Sequence, residues 1–175
     1  MVIRKERLGI EKNFYDLALK VLKKEGIELY DLDYIESEGL LRLFIMNKET
    51  ESATFDDCVR IDKAMTPFIE DESWMPESLT LEVSSPGIDR GLRTLEHFSL
   101  SLERGIIVTC RDLRSSKDSA SEDKVFKQKK IRGILKIYNK TMIGIESKNF
   151  CYLLKYDELK KANLDPDSEK NRQRY

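Results

Sequence analysis

Histidine is nearly missing from this chain: His97 is the only one in 175 residues. Chemistry built on a pair of imidazoles, or a metal held by several of them, is thereby excluded. Cysteine is scarce as well. Cys58, Cys110 and Cys151 lie far apart, with no CxxC pair to make a zinc site or a redox dithiol. They read as reduced, largely buried thiols of a cytoplasmic protein. No apolar run approaches the roughly 18 residues of a membrane-spanning helix. The start, Met1-Val2-Ile3-Arg4-Lys5-Glu6-Arg7, lacks the apolar core and cleavage site of a secretory leader. Walker loops, Gly-x-Gly-x-x-Gly and Gly-x-Ser-x-Gly are all missing. No cofactor and no metal are expected.

What the chain has in abundance is charge, at 36% of residues, and it is unevenly spread. Residues 1–90 carry 12 Lys and Arg against 20 Asp and Glu, whereas residues 91–175 carry 19 against 12. A sign change at mid-chain predicts two domains with different partners, because an acidic surface attracts basic protein and a basic one attracts phosphate. The other reading is that opposite charge helps the halves dock on each other. The expected division is an acidic α+β domain over 1–90, a basic domain over 91–166 and a disordered polar tail over 167–175.

Ile10, Phe14, Leu17, Ala18, Val21 and Leu22 recur at helical spacing and stop before Gly26. Tyr30, Leu32 and Tyr34 alternate with Asp31 and Asp33, which predicts a half-buried strand with both aspartates facing outward. Ser37-Glu38-Gly39 turns it back into a hairpin partner over 40–46. Thr54 with Asp57 three residues on has the form of a capping box, and Cys58, Ile61, Met65 and Phe68 follow on one helical stripe. A strand over 79–83 completes an αββαβ order.

The second half reads as a short helix around Leu92, Leu95 and Phe98, then strands over 106–110, 130–138, 142–147 and 150–155. Asn139-Lys140 and Lys148-Asn149 are candidate tight turns. Residues 115–124, with nothing apolar larger than alanine, predict a mobile loop. Short strands at close spacing predict a small β-barrel.

Between the halves, Leu81-Glu82-Val83-Ser84-Ser85-Pro86-Gly87-Ile88-Asp89-Arg90 runs from strand into a corner. Proline presets φ for the second position of a turn, and glycine takes the positive φ of a type II turn at the third. Ser84, Ser85, Pro86, Gly87, Asp89 and Arg90 are therefore candidates for partner binding, for a hinge, or for both. This stretch resembles the signature of the bacterial ribosome maturation factor RimP family. Thr54-Phe55-Asp56-Asp57-Cys58 and Lys160-Lys161-Ala162-Asn163-Leu164-Asp165-Pro166 agree with that family too, so the resemblance runs from about Phe14 to Pro166. Gly91 stands where the family usually has proline, which predicts a less stiff exit from the corner.

The resemblance implies an α+β fold, a KH-like αββαβ sandwich followed by an SH3- or Sm-like barrel. No Gly-x-x-Gly loop is present to clamp a nucleic-acid backbone, so protein is the expected partner of the acidic half. The resemblance also implies cytoplasmic, non-enzymatic assembly of the small ribosomal subunit by a monomer. Its partners would be the immature subunit and small-subunit ribosomal protein twelve, with rRNA as a further candidate. The alternative is a general RNA-binding module of Sm type, acting as a ring.

Lys127, Lys129, Lys130, Arg132, Lys136 and Tyr138 form the candidate rRNA- or protein-binding stripe. Lys130, Arg132, Ile134, Lys136 and Tyr138 are expected outward, with Ile131, Leu135 and Ile137 inward. Such a stripe could neutralise phosphates, or it could be a solvated face that blocks edge pairing. Asp56 and Asp57 read as macrodipole partners of a helix start. His97 reads as packed beside Phe98, without a nucleophile to serve.

Overall fold

The computed structural model describes residues 3, 4, 6–118, 121–148 and 150–168; for 113–118 and 121–128 it describes the backbone only. The chain forms two compact units, Glu6–Gly87 and Ile88–Tyr175, the second also taking in the first residues of the chain. Each has a hydrophobic core of its own.

The first unit runs α1 (Gly9–Glu25), β1 (Glu28–Ile35), β2 (Leu40–Met46), α2 (Phe55–Asp71) and β3 (Thr80–Ser84), the expected αββαβ order. β1 and β2 pair antiparallel, and β3 lies parallel to β2 on its other side. The apolar stripe of α1 places Phe14, Leu17, Ala18, Val21 and Leu22 in the core. The helix ends where Gly26 adopts a left-handed φ of 68°, a conformation that costs glycine little. At the start of α2 the Thr54 hydroxyl accepts the Asp57 N–H at 3.1 Å while the Asp57 carboxylate accepts the Thr54 N–H at 3.0 Å. Of the predicted α2 stripe, Ile61 and Met65 are buried, with Cys58 and Phe68 half-buried beside them.

One expectation for this unit fails. Asp31 does not face outward: it is 4% exposed, and the Arg7 guanidinium meets it at 2.8 Å. Tyr30 is an extra residue in the β1–β2 ladder, between the Leu29–Ile45 and Asp31–Phe44 pairs. Arg7, sequence-distant and outside any element, folds over the site and also donates to the Leu32 carbonyl at 3.3 Å.

The second unit contains α3 (Leu95–Leu100), β4 (Gly105–Asp118), β5 (Ser121–Tyr138), β6 (Met142–Ser147), β7 (Phe150–Lys155) and β8 (Leu159–Leu164). The strands form one antiparallel sheet in the order β7-β6-β5-β4-β8. Alternation fills its core: Ile106, Val108 and Cys110 from β4, Ile143 and Ile145 from β6, Tyr152 and Leu154 from β7. Leu92 and Phe98 cover them, and Ile3 packs on the same cluster.

The sheet is not a closed barrel. Its end strands, β7 and β8, share no ladder, and the outer side of β8 has another occupant. Residues 90–92 lie along it: the Leu92 N–H donates to the Ala162 carbonyl at 2.8 Å, and the Leu164 N–H donates to the Arg90 carbonyl at 3.0 Å. Gly91 pairs with Asn163 between them. The exit from the corner, expected to be loose because of Gly91, is thus held by backbone hydrogen bonds.

Four further expectations change in this unit. Residues 115–118 and 121–124 are not loop but strand, because the β4–β5 ladder continues from Arg114–Gln128 to Asp118–Ser121. Backbone pairing requires no apolar side chain, so polar composition did not mark the end of the strands. Lys136 is an extra residue between the Leu135–Ile145 and Ile137–Gly144 pairs, which turns Ile137 outward to 50% exposure and Tyr138 toward the core. β8 was not expected as a strand. Cys151, one of the thiols expected to be buried, is exposed on the outer face of β7. From residue 169 the expected tail lies outside the described residues.

Thr54→Ala is expected to cost about 1 kcal/mol in urea unfolding, the usual worth of such a cap. The backbone hydrogen bond from Thr54 holds the Asp57 carboxyl below its ordinary pKa. Its contribution is present above the unfolded carboxylate range, near pH 4, and is lost as pH falls through the native value. Unfolding midpoints taken from pH 7 downward should therefore show a smaller acid-side loss in Asp57→Ala. In the second unit, burial pushes the Tyr156 phenol up to about 12, while its hydroxyl donates to the Asn139 carbonyl at 3.0 Å. Stability from this group holds below pH 10 and declines as pH rises toward about 12. Tyr156→Phe should remove that part of the alkaline decline.

Candidate partner-binding surfaces

The corner begins where β3 ends. The side chain of Glu82 is tied sideways, accepting from the Arg42 guanidinium of β2 at 2.6 Å, and the Arg42–Glu82 register places the two opposite each other. Gly87 has the predicted positive φ, 75°. The Ser85 hydroxyl accepts the Gly87 N–H at 3.3 Å, so this serine braces its own turn. Ser84 and Asp89 are exposed, Ser85 and Pro86 half-buried. Arg90 is 5% exposed, so its side chain is not part of an open recognition surface. The Asn163 amide donates to the Asp89 carbonyl and adds a further tie to β8. Asn163 falls within the stretch 160–166 that carries the family resemblance, yet nothing in the sequence ties it to Asp89.

Along β5 the predicted stripe divides. Lys129 and Lys130 are exposed, and among the described residues neither makes a hydrogen bond or ion pair. Arg132 is engaged: its Nε meets the buried Asp165 at 3.0 Å, and its Nη2 lies 3.6 Å from Asp167. Lys136 sits between Glu103 at 2.8 Å and Glu146 at 3.4 Å. The hydrogen bond to Glu103 raises the pKa of its ammonium. Tyr138 donates its hydroxyl to Ser99 at 2.9 Å and packs against the core, which removes it from the outward face. The side chain of Lys127 lies outside the described residues. Asp165, Glu103 and Glu146 are the residues that sequence reasoning missed; they stand 33, 33 and 10 positions from their partners, and no local pattern marks them.

His97 is buried, and its Nδ1 accepts the Arg93 N–H at 3.1 Å, a bond that caps the turn before α3. Among the described residues no group of three His, Cys, Asp or Glu is placed to hold a metal ion, and no helix is long and apolar enough to cross a membrane.

Charge follows the two units. Glu6–Gly87 holds 9 Lys and Arg against 19 Asp and Glu, and the remainder of the chain holds 22 against 13. Fold and surface together define a two-unit α+β protein, one unit an acidic αββαβ layer pair and the other a basic antiparallel sheet. Residues 17–89, most of the acidic unit, match the family model described as the RimP N-terminal domain. That match supports the RimP family, a family of ribosome maturation factors, for this chain.

Proposed function

We propose that this protein is a non-enzymatic assembly factor for the small ribosomal subunit that works in the cytoplasm as a monomer. Its two units act as separate domains that bridge two components of the immature particle. The observation that carries this reading is the separation of opposite charge onto two independent cores in a member of a ribosome maturation family. Ribosomal proteins are basic and rRNA is acidic, so each unit has a counterpart of opposite sign there. The acidic unit takes a basic subunit protein, with ribosomal protein twelve as the candidate that the family implies. The basic unit contacts rRNA through Lys129 and Lys130, stripe residues that have no carboxylate partner among the described residues. Its five-stranded antiparallel sheet serves as the platform for that contact. Linking two weak contacts raises the effective concentration of the second, so neither needs to be tight alone.

Sedimentation of a lysate should show the protein with immature small subunits and not with mature ones; equal distribution between the two would contradict the assignment. A stable multimer with high affinity for any single-stranded RNA would favour the Sm-type reading instead. For the rRNA contact, Lys129→Ala with Lys130→Ala should weaken binding of a single-stranded rRNA fragment. The log–log salt slope should become shallower by about 1.4, since each lost phosphate contact accounts for about 0.7. Arg132→Ala is a poorer probe, because it strips the buried Asp165 of its cation.

A further inference from the structure

We propose that a groove on the acidic unit, between α1 and the segment following α2, is a receptor for basic side chains of a partner polypeptide. A guanidinium or ammonium would seat on the Trp74 indole between the carboxylates of Asp16 and Glu72. The inference rests on the reading of this unit as protein-binding, and it names where and how the partner is held.

The groove has a volume of about 340 Å³ and is lined by Asn13, Asp16, Leu17, Lys20, Glu72 and Trp74. Its aromatic wall is fixed. Trp74 packs edge-on against the buried Phe14, with centroids 5.2 Å apart, and its Nε1 donates to Glu72 at 3.0 Å. Indole and carboxylate therefore hold each other in place before any ligand arrives. Asp16, on the opposite wall, is paired among the described residues only with Lys12 one helical turn away, and both are more than half exposed. Such an exposed pair is weak, so an incoming cation can displace Lys12 at little cost. Lys20, the one cation in the lining, makes no ion pair with either carboxylate; its ammonium lies over the Phe68 ring, 5.8 Å from the centroid.

A second observation gives the groove its sign. The C-terminal end of a helix is negative and favours cations, yet the last turn of α2 holds no basic residue. Glu70, Asp71 and Glu72 follow one another there instead, and among the described residues none of the three makes an ion pair. Like charges gathered on the negative end of a dipole oppose folding and are relieved by an external cation. A planar guanidinium meets all of the requirements: it stacks on an indole face and donates to carboxylates at its edge.

Trp74 is the only tryptophan in the chain, so intrinsic fluorescence reports on this groove alone. The intact protein would be titrated with a tryptophan-free, arginine-rich peptide carrying a dye, recording Trp74 emission and dye anisotropy together. A saturable change in Trp74 emission that follows the anisotropy and weakens with salt is the expected result. In Asp16→Asn with Glu72→Gln, which keeps an acceptor for the indole N–H, affinity should fall about fivefold or more. Anisotropy binding without a Trp74 response, unchanged affinity in the double variant, or no binding at all would each overturn the groove. None of these results touches co-sedimentation with immature subunits, which tests the assembly function separately.

Discussion

Two backbone hydrogen bonds, from Leu92 to Ala162 and from Leu164 to Arg90, determine how the second half of this chain is built. They seat residues 90–92 on the outer side of β8 and so occupy the side that a closing strand would need. They deliver Leu92 into the core at 1% exposure. Burying a side chain of that size contributes about 1.5–3 kcal/mol, more than an exposed ion pair returns. The register of this short strap therefore governs the start of the unit more firmly than the surface charges do. It also explains how glycine at position 91 is accommodated: the pairing with Asn163, not the stiffness of a proline ring, fixes the chain after the corner.

Charge has a different task in the two units. Much of the positive charge on β5 is consumed locally, with Arg132 held by Asp165 and Asp167, and Lys136 by Glu103 and Glu146. Among the described side chains of β5, Lys129 and Lys130 are exposed and make no ion pair. In the acidic unit the balance is reversed. Arg7 neutralises Asp31 and Arg60 meets Asp57, while the carboxylates at the end of α2 have no ion-pair partner among the described residues.

The periodicities of the sequence were enough to read the elements of the first unit, because its helices are amphipathic and its capping box is local. They failed wherever a ladder slips by one residue. The extra Tyr30 and the extra Lys136 each break an alternation that the sequence shows as continuous, and the second reverses the outlook of Ile137 and Tyr138. β8, with Lys160 and Lys161 adjacent, carries no clean alternation and is a strand because β4 lies beside it. Of the proposed site residues, the turn geometry at Gly87 was legible from composition alone. The burial of Arg90 and the capture of Arg132 and Lys136 were not, since they depend on partners brought together only by folding. The family resemblance was legible in short motifs, and the match over 17–89 bears it out for the acidic unit.

The central claim is that both charged units engage the same unfinished particle. Its most direct test is the affinity of immature small subunits for four full-length forms: the native protein, one with Lys129 and Lys130 made neutral, one with Asp16 and Glu72 made neutral, and the combination. Bridging predicts that either neutralisation alone lowers affinity at least about tenfold, because losing one contact forfeits the effective concentration it supplied to the other. The combined form should then bind no better than background. Full affinity after neutralising either surface would contradict the account.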